Sequence, residues 1–272
     1  MVNRREYLFG ESLRRVSFVR LITRWLGKPT APDLEEAFDL SQAQAYRVLK
    51  AARDRASVET ETGDARVMLD FLRAQSLSDR LEAGIGLKFG VAVEDVDALL
   101  LPPLPDVIIR EILQALRNKK ALSIAYTART STSDRVISPT HLVHVFNRYH
   151  LRAWDHEKRG FRDFLLSRIT EAKIAKNRRV APPDKDWEEN EMLRFVINPE
   201  LPLGLRAALA TEWDLEVDGV RKIRCRNAHA RYAVRRLTER TTIGKHRWLP
   251  ENEAARKIFN DIEMAVERDD KP

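Results

Sequence analysis

The chain has 272 residues, 43% hydrophobic and 33% charged, with a net charge of +7; this is enough apolar content for two or three small cores at ~100–150 residues each, and the basic surplus favours a polyanionic partner. Cys225 is the only cysteine, which excludes an intrachain disulfide and fits a reducing cytoplasm. The first ten residues lack the apolar run of a signal peptide, and the longest apolar region, 96–109, is broken by Pro102, Pro103 and Pro105, so no membrane span of ~20 apolar residues is expected.

Paired prolines at 102–105 and 182–183 remove backbone donors and stiffen the chain, and so mark junctions. They divide the sequence into residues 1–104, 105–183 and 184–272. In the first region Val16, Val19, Ile22 and Trp25 recur at helical spacing, and Gly27 closes that helix. Pro32 suits the first turn of a second short helix that reaches Phe38. Ser41 is an N-cap for a third helix, 42–53.

Helix, tight connection and helix make the pattern of a helix-turn-helix. In the third helix Ala45, Val48, Leu49 and Ala52 form one apolar stripe, leaving Gln42, Gln44, Tyr46, Arg47, Lys50 and Arg53 on the other side. Gln matches adenine and Arg matches guanine, whereas Lys50 and Arg53 suit phosphates. With Ser41, these are the candidate DNA-binding residues. A solvated polar face is the competing reading. Residues 57–68 include β-prone pieces expected to form a wing.

The second region opens with a helix over 107–116. Strands are expected at 121–127, 135–137, 142–146, 148–155 and 161–174, a β-rich run with short turns. Between 118 and 180 there are fourteen Lys/Arg and five Asp/Glu, or +9, so the rest of the chain together is −2. His141, His144, His150 and His156 also lie here. His141 and His144, three apart on a strand, face opposite sides, which argues against a metal pair. On the strand 148–155, Tyr149, Leu151 and Ala153 share one face and Arg148, His150, Arg152 and Trp154 the other.

The order Ser123-Ile124-Ala125-Tyr126, Arg135-Val136-Ile137-Ser138-Pro139, His141-Leu142-Val143, Arg148 to Asp155 and Phe161 to Ile169 resembles a WYL domain throughout. Tyr149-His150-Leu151 stands where that family has Trp-Tyr-Leu. The histidine there, with Arg162-Asp163-Phe164 before the last strand, is similar to the CapW/BrxR subgroup, regulators of anti-phage defence operons. The resemblance implies an Sm-like or SH3-like barrel in the middle of a homodimeric transcription repressor. It also implies a ligand, nucleotide or nucleic-acid-like, that changes the DNA-binding state. The family's pocket positions carry over onto Ser123, Tyr126, His141, Arg152 and Arg168, with Arg135, Tyr149 and His150 as additions. Arginine can hold a phosphate bidentately, and Tyr and His offer stacking and neutral hydrogen bonds. The residues alone also allow Tyr126 and Tyr149 as core aromatics, Arg152 and Arg168 as partners of Asp155 or Asp163, and His141 as an ordinary histidine.

The third region is expected to alternate helix and strand, ending in a helix over 251–266; the resemblance assigns such extensions to dimer contacts. Its helix 228–240 carries Arg231, Arg235 and Arg236 off the apolar stripe. The sequence has no Walker loop, dinucleotide fingerprint, nucleophile elbow or zinc-protease motif, and no cofactor is expected. The fold class expected is α+β multidomain: an N-terminal winged helix-turn-helix, a central barrel and a small α+β extension. The functional expectation is a regulator on double-stranded operator DNA. The alternative is an accessory subunit that holds single strands on the +9 region.

Overall fold

The computed structural model describes residues 4–54, 68–69, 102–128, 131–176, 180–216 and 219–269, with side chains over 15–52 and up to 265 in the flanking helices. The chain divides into two compact units between Pro182 and Pro183.

In the first unit, helix α1 (Arg4–Trp25) buries Val16, Val19, Ile22 and Trp25. It ends before Gly27, whose φ of +94° is left-handed and suits only a residue without Cβ. Helix α2 (Ala31–Phe38) has Pro32 in its first turn. The carboxylate of Asp33 accepts both the N–H and the hydroxyl of Thr30, at 2.7 and 2.8 Å, which meets two donors at the helix start. Asp39, left-handed at φ 49°, opens a three-residue turn into helix α3 (Gln42–Asp54). Ala45, Leu49 and Ala52 are buried as the periodicity requires, and Phe18 of α1 meets Phe38 of α2 edge to face at 5.3 Å. The wing expected over 57–68 lies outside the described residues, apart from Met68, which is buried.

Helix α4 (Asp106–Arg117) buries Ile108, Ile109, Ile112, Leu113 and Ala115. It lies on a sheet made of β1 (Leu122–Thr127), β2 (Thr132–Val145), β3 (Arg148–Asp155), β4 (Gly160–Leu165) and β5 (Ile169–Ile174). The strands are antiparallel in the order β4-β3-β2-β1-β5. The sheet is open, which corrects the expected closed barrel. Closure would pair β4 with β5, but these are the two edge strands, joined only by the 3₁₀ turn Leu166–Arg168. The apolar face that closure would bury is covered instead by α4. Residues 135–137 and 142–146, expected as two strands, belong mainly to the single strand β2. Pro139, which reads as a breaker, is accommodated by a bulge at Thr140.

α1, α2, α3, α4 and one face of the sheet share a single core, with Trp25, Leu34, Leu49, Ile112, Leu151 and Phe164 among its members. Its charged seams are Arg117–Asp33 at 2.7 Å and Arg24–Asp106 at 3.5 Å.

The second unit begins with a short helix α5 (Lys185–Glu188). Strand β6 (Asn190–Ile197) then pairs with β7 (Val220–Arg226) on one side and β8 (Trp248–Pro250) on the other. Helices α6 (Leu203–Glu212), α7 (Asn227–Leu237) and α8 (Glu253–Asp269) complete it. Leu193, Phe195 and Ile197 alternate into a core with Val234, Trp248 and Ala255. The three-residue β8 was not expected from the sequence.

Candidate nucleic-acid interface and sensing face

Ser41 and Gln44 build the start of α3. The Ser41 N–H and hydroxyl both donate to Gln44 Oε1, at 2.9 and 3.0 Å, and the Gln44 N–H reaches Ser41 Oγ at 3.4 Å. This is a capping box. It ties both residues to the helix backbone, and the Gln44 amide NH₂ remains as the donor end. Gln42, Gln44, Arg47 and Lys50 are exposed and Tyr46 is 60% exposed, an unusual setting for a large aromatic ring. Arg47 Nε donates to the Ala43 carbonyl at 3.3 Å, which steadies the guanidinium along the helix. Arg53 belongs to the last turn of α3. The polar side of α3 is therefore open to solvent while its stripe is buried.

In the sheet, cross-strand register sorts the other candidates by face. Tyr149, 6% exposed, lies with Leu151 and Ala153 in the core, and its ring is 4.6 Å from that of His144. Tyr126 packs on the same core and meets Phe164 edge to face at 5.1 Å; its hydroxyl accepts the Leu165 N–H at 3.4 Å. Arg135 pairs with the fully buried Asp155 at 2.8 Å. The other Asp155 oxygen accepts the N–H groups of Glu157 and Lys158, so this pair fixes the β3–β4 turn.

On the opposite face, His141, Arg152 and Asp163 stand in register across β2, β3 and β4. Arg152 Nη1 contacts Asp163 at 3.3 Å, and the guanidinium lies 5.4 Å from the Phe161 ring centre. Trp154 and Phe161, the next row, meet at 5.3 Å. His150 is one row the other way, beside Val143 and Leu165. Burial holds its imidazole below the usual range, against the pull of Asp163. Ser123 is exposed on β1 at the far end of this face, and Arg168 is exposed in the 3₁₀ turn. The eight candidates therefore do not form one pocket: His141, His150 and Arg152 come together, while Tyr126, Arg135 and Tyr149 serve the other side. Trp154, Phe161 and Asp163 join the cluster without having been singled out as candidates. Their signal was the alternation of β3 and the hairpin register with β4.

Flat rings beside an imidazole held neutral suit a planar ligand, while the buried Arg152 guanidinium already shares its charge with Asp163. Among the described residues no group of three His, Cys, Asp or Glu side chains is arranged to hold a metal ion, and no helix is long and apolar enough to cross a membrane.

Residues 107–174 match the WYL domain family. They are a WYL domain. The match runs from α4 to the end of β5, the helix-backed open sheet described above. Beyond the WYL domain, the chain is similar to proteins named DNA-binding transcriptional repressor CapW. The relative from Escherichia coli (strain KTE188) is 28% identical over 246 aligned residues, covering 82% of each chain. One from Pseudomonas aeruginosa is 28% identical over 248, and one from Stenotrophomonas maltophilia 25% identical over 249, with the same coverage. Among solved structures, the proteasome accessory factor B/C (PafBC) of Arthrobacter aurescens matches 96% of this chain with a TM-score of 0.26 and 15% identity, and this chain spans about half of its length (49%). A CRISPR Cas-related protein matches with a TM-score of 0.34 and 12% identity, covering 96% of this chain and 86% of that one.

Proposed function

We propose that this protein is a DNA-binding transcriptional repressor that acts as a homodimer on double-stranded operator DNA. Residues 1–104 form the DNA-reading part, a winged helix-turn-helix. The WYL domain, within 105–183, senses an anionic or nucleic-acid-derived effector, and residues 184–272 supply dimer contacts. The controlled genes are an anti-phage defence operon. The observation that carries the reading is α3, whose Gln42, Tyr46, Arg47 and Lys50 are exposed on a helix otherwise anchored in the core. Relatives named DNA-binding transcriptional repressor CapW, similar along 82% of the chain, support it.

A two-fold dimer presents two such helices to an inverted repeat, spaced by one helical turn (~34 Å) or a multiple. An effector that binds the free form better than the DNA-bound form shifts the population toward release by that difference in affinity. His141, His150 and Arg152 are the central contacts in this reading, with Ser123 and Arg168 at its margins.

Gel-shift titration on the protein's own upstream region tests the proposal. Wild type should shift the operator, and the Gln44→Ala/Arg47→Ala/Lys50→Ala variant should not. Failure of wild type, or full binding by the variant, overturns it. Tighter binding to random single strands than to the operator duplex, at one fixed salt concentration, would instead support an accessory strand-holding subunit.

A further inference from the structure

The C-terminal unit contains a cavity of about 440 Å³ between the sheet and helices α6 and α7, within the ~300–1,000 Å³ range of small-molecule sites. Leu209, Ile223 and Leu237 give it an apolar floor, and three arginines and two glutamates line it. Arg236 is neutralised by Glu239 at 2.8 Å, which leaves Arg221 and Arg247 against Glu212.

Arg221 is the unusual member. Its guanidinium carbon lies 3.3 Å from the ring centre of Trp213 and 5.7 Å from that of Trp248. Its Nη1 is buried and has no hydrogen-bond partner among the described residues. Burial lowers its pKa, opposed by the charge of Glu212. A charged donor held out of water without an acceptor is costly, and a small shift of this side chain toward the cavity would let an anion there meet that need. Trp213 is 42% exposed, so an indole lies open beside this donor.

We infer that this cavity binds a small organic anion, an apolar ring bearing a phosphate or carboxylate. The anionic group lies on Arg221 and Arg247, and the ring on the apolar floor beside Trp213. None of these residues belongs to α3 or the WYL domain, so this site stands or falls apart from the DNA reading.

Calorimetric titration of the full chain with 1-naphthyl phosphate, 1-naphthoate, neutral 1-naphthol and inorganic phosphate tests it. Both aryl anions should bind, and naphthol and inorganic phosphate about tenfold more weakly or worse. Arg247→Gln alters an exposed side chain and should weaken the anions about tenfold. Arg221→Gln should weaken them further, and Glu212→Gln should tighten them. Arg247→Gln and Glu212→Gln keep the test valid if Arg221→Gln unfolds. Equal affinity for naphthol and naphthoate, or anion binding unchanged in Arg247→Gln, would overturn the inference. So would binding seen only once Trp213→Ala has split a dimer, because a second copy would then be the occupant.

Discussion

Gln44 serves two masters, and substitution can separate them. Its carbonyl oxygen caps α3 through Ser41, while its amide sits on the face proposed to read DNA. Gln44→Ala should cost roughly 0.5–1.5 kcal/mol in urea unfolding, about the net worth of the reciprocal bond to Ser41 that it removes. Gln44→Glu keeps the capping box and places a negative charge favourably at the helix N-terminus. It should unfold like wild type, yet bind operator more weakly because the carboxylate faces phosphates. A Gln44→Ala protein with an unchanged unfolding midpoint would remove the cap from this account. His150 offers a second residue-scale test. Burial lowers its pKa from the ordinary 6.5, and the charges of Arg148 and His144 add to that shift against Asp163. The folded protein thus prefers the neutral ring. This stability is present above the unfolded value and is lost as pH falls through the folded one. Unfolding midpoints should drop between pH 7 and 5, and His150→Gln should flatten that drop.

Asp33 joins two elements. It satisfies Thr30 at the start of α2 and pairs with Arg117 at the end of α4, so one carboxylate fastens the helix before the proposed reading helix to the WYL domain. Burial raises its pKa, but the Thr30 backbone N–H and Arg117 outweigh this and hold it below the ordinary 3.8. Its contribution is therefore present at neutral pH and lost as pH falls through the lowered value. Arg117→Met should cost roughly 1–2 kcal/mol at pH 7, and should lose less further stability than wild type between pH 5 and 3. Equal acid sensitivity of the two proteins in denaturant titrations would count against this link. The sequence could not reveal the pair, because 84 positions separate its members. Local signals were readable: Gly27, Pro32 and Ser41 bound α1, α2 and α3 because each acts within one turn of its own position. The alternation of β3 likewise placed Tyr149, Leu151 and Ala153 in the core. What escaped depends on partners. Pro139 reads as a strand end, whereas pairing with β3 carries β2 through it on a bulge. That bulge brings His141 onto the face of Arg152, which no count of residues along β2 alone would do.

At the scale of the whole first unit, α1 to α4 and the WYL sheet share one core. Interiors packed at crystal-like density transmit displacement rather than absorb it. A change at the sheet would therefore reach α3 as a movement of the packed body, and in a two-fold dimer it would alter the spacing of the two α3 helices. Such a dimer doubles every phosphate contact. If Lys50 meets one phosphate per protomer, Lys50→Gln removes two contacts, and the slope of log K against log salt should become shallower by about 2, at ~0.9 per contact. The loss should be equal on operator and random duplex, since phosphates carry no sequence. Arg47→Gln should instead lose operator more than random DNA if it reads a base edge. Binding measured by fluorescence anisotropy from 50 to 300 mM salt separates these cases. A slope unchanged in Lys50→Gln would place that lysine off the duplex, and with it the side of α3 on which the proposed function rests.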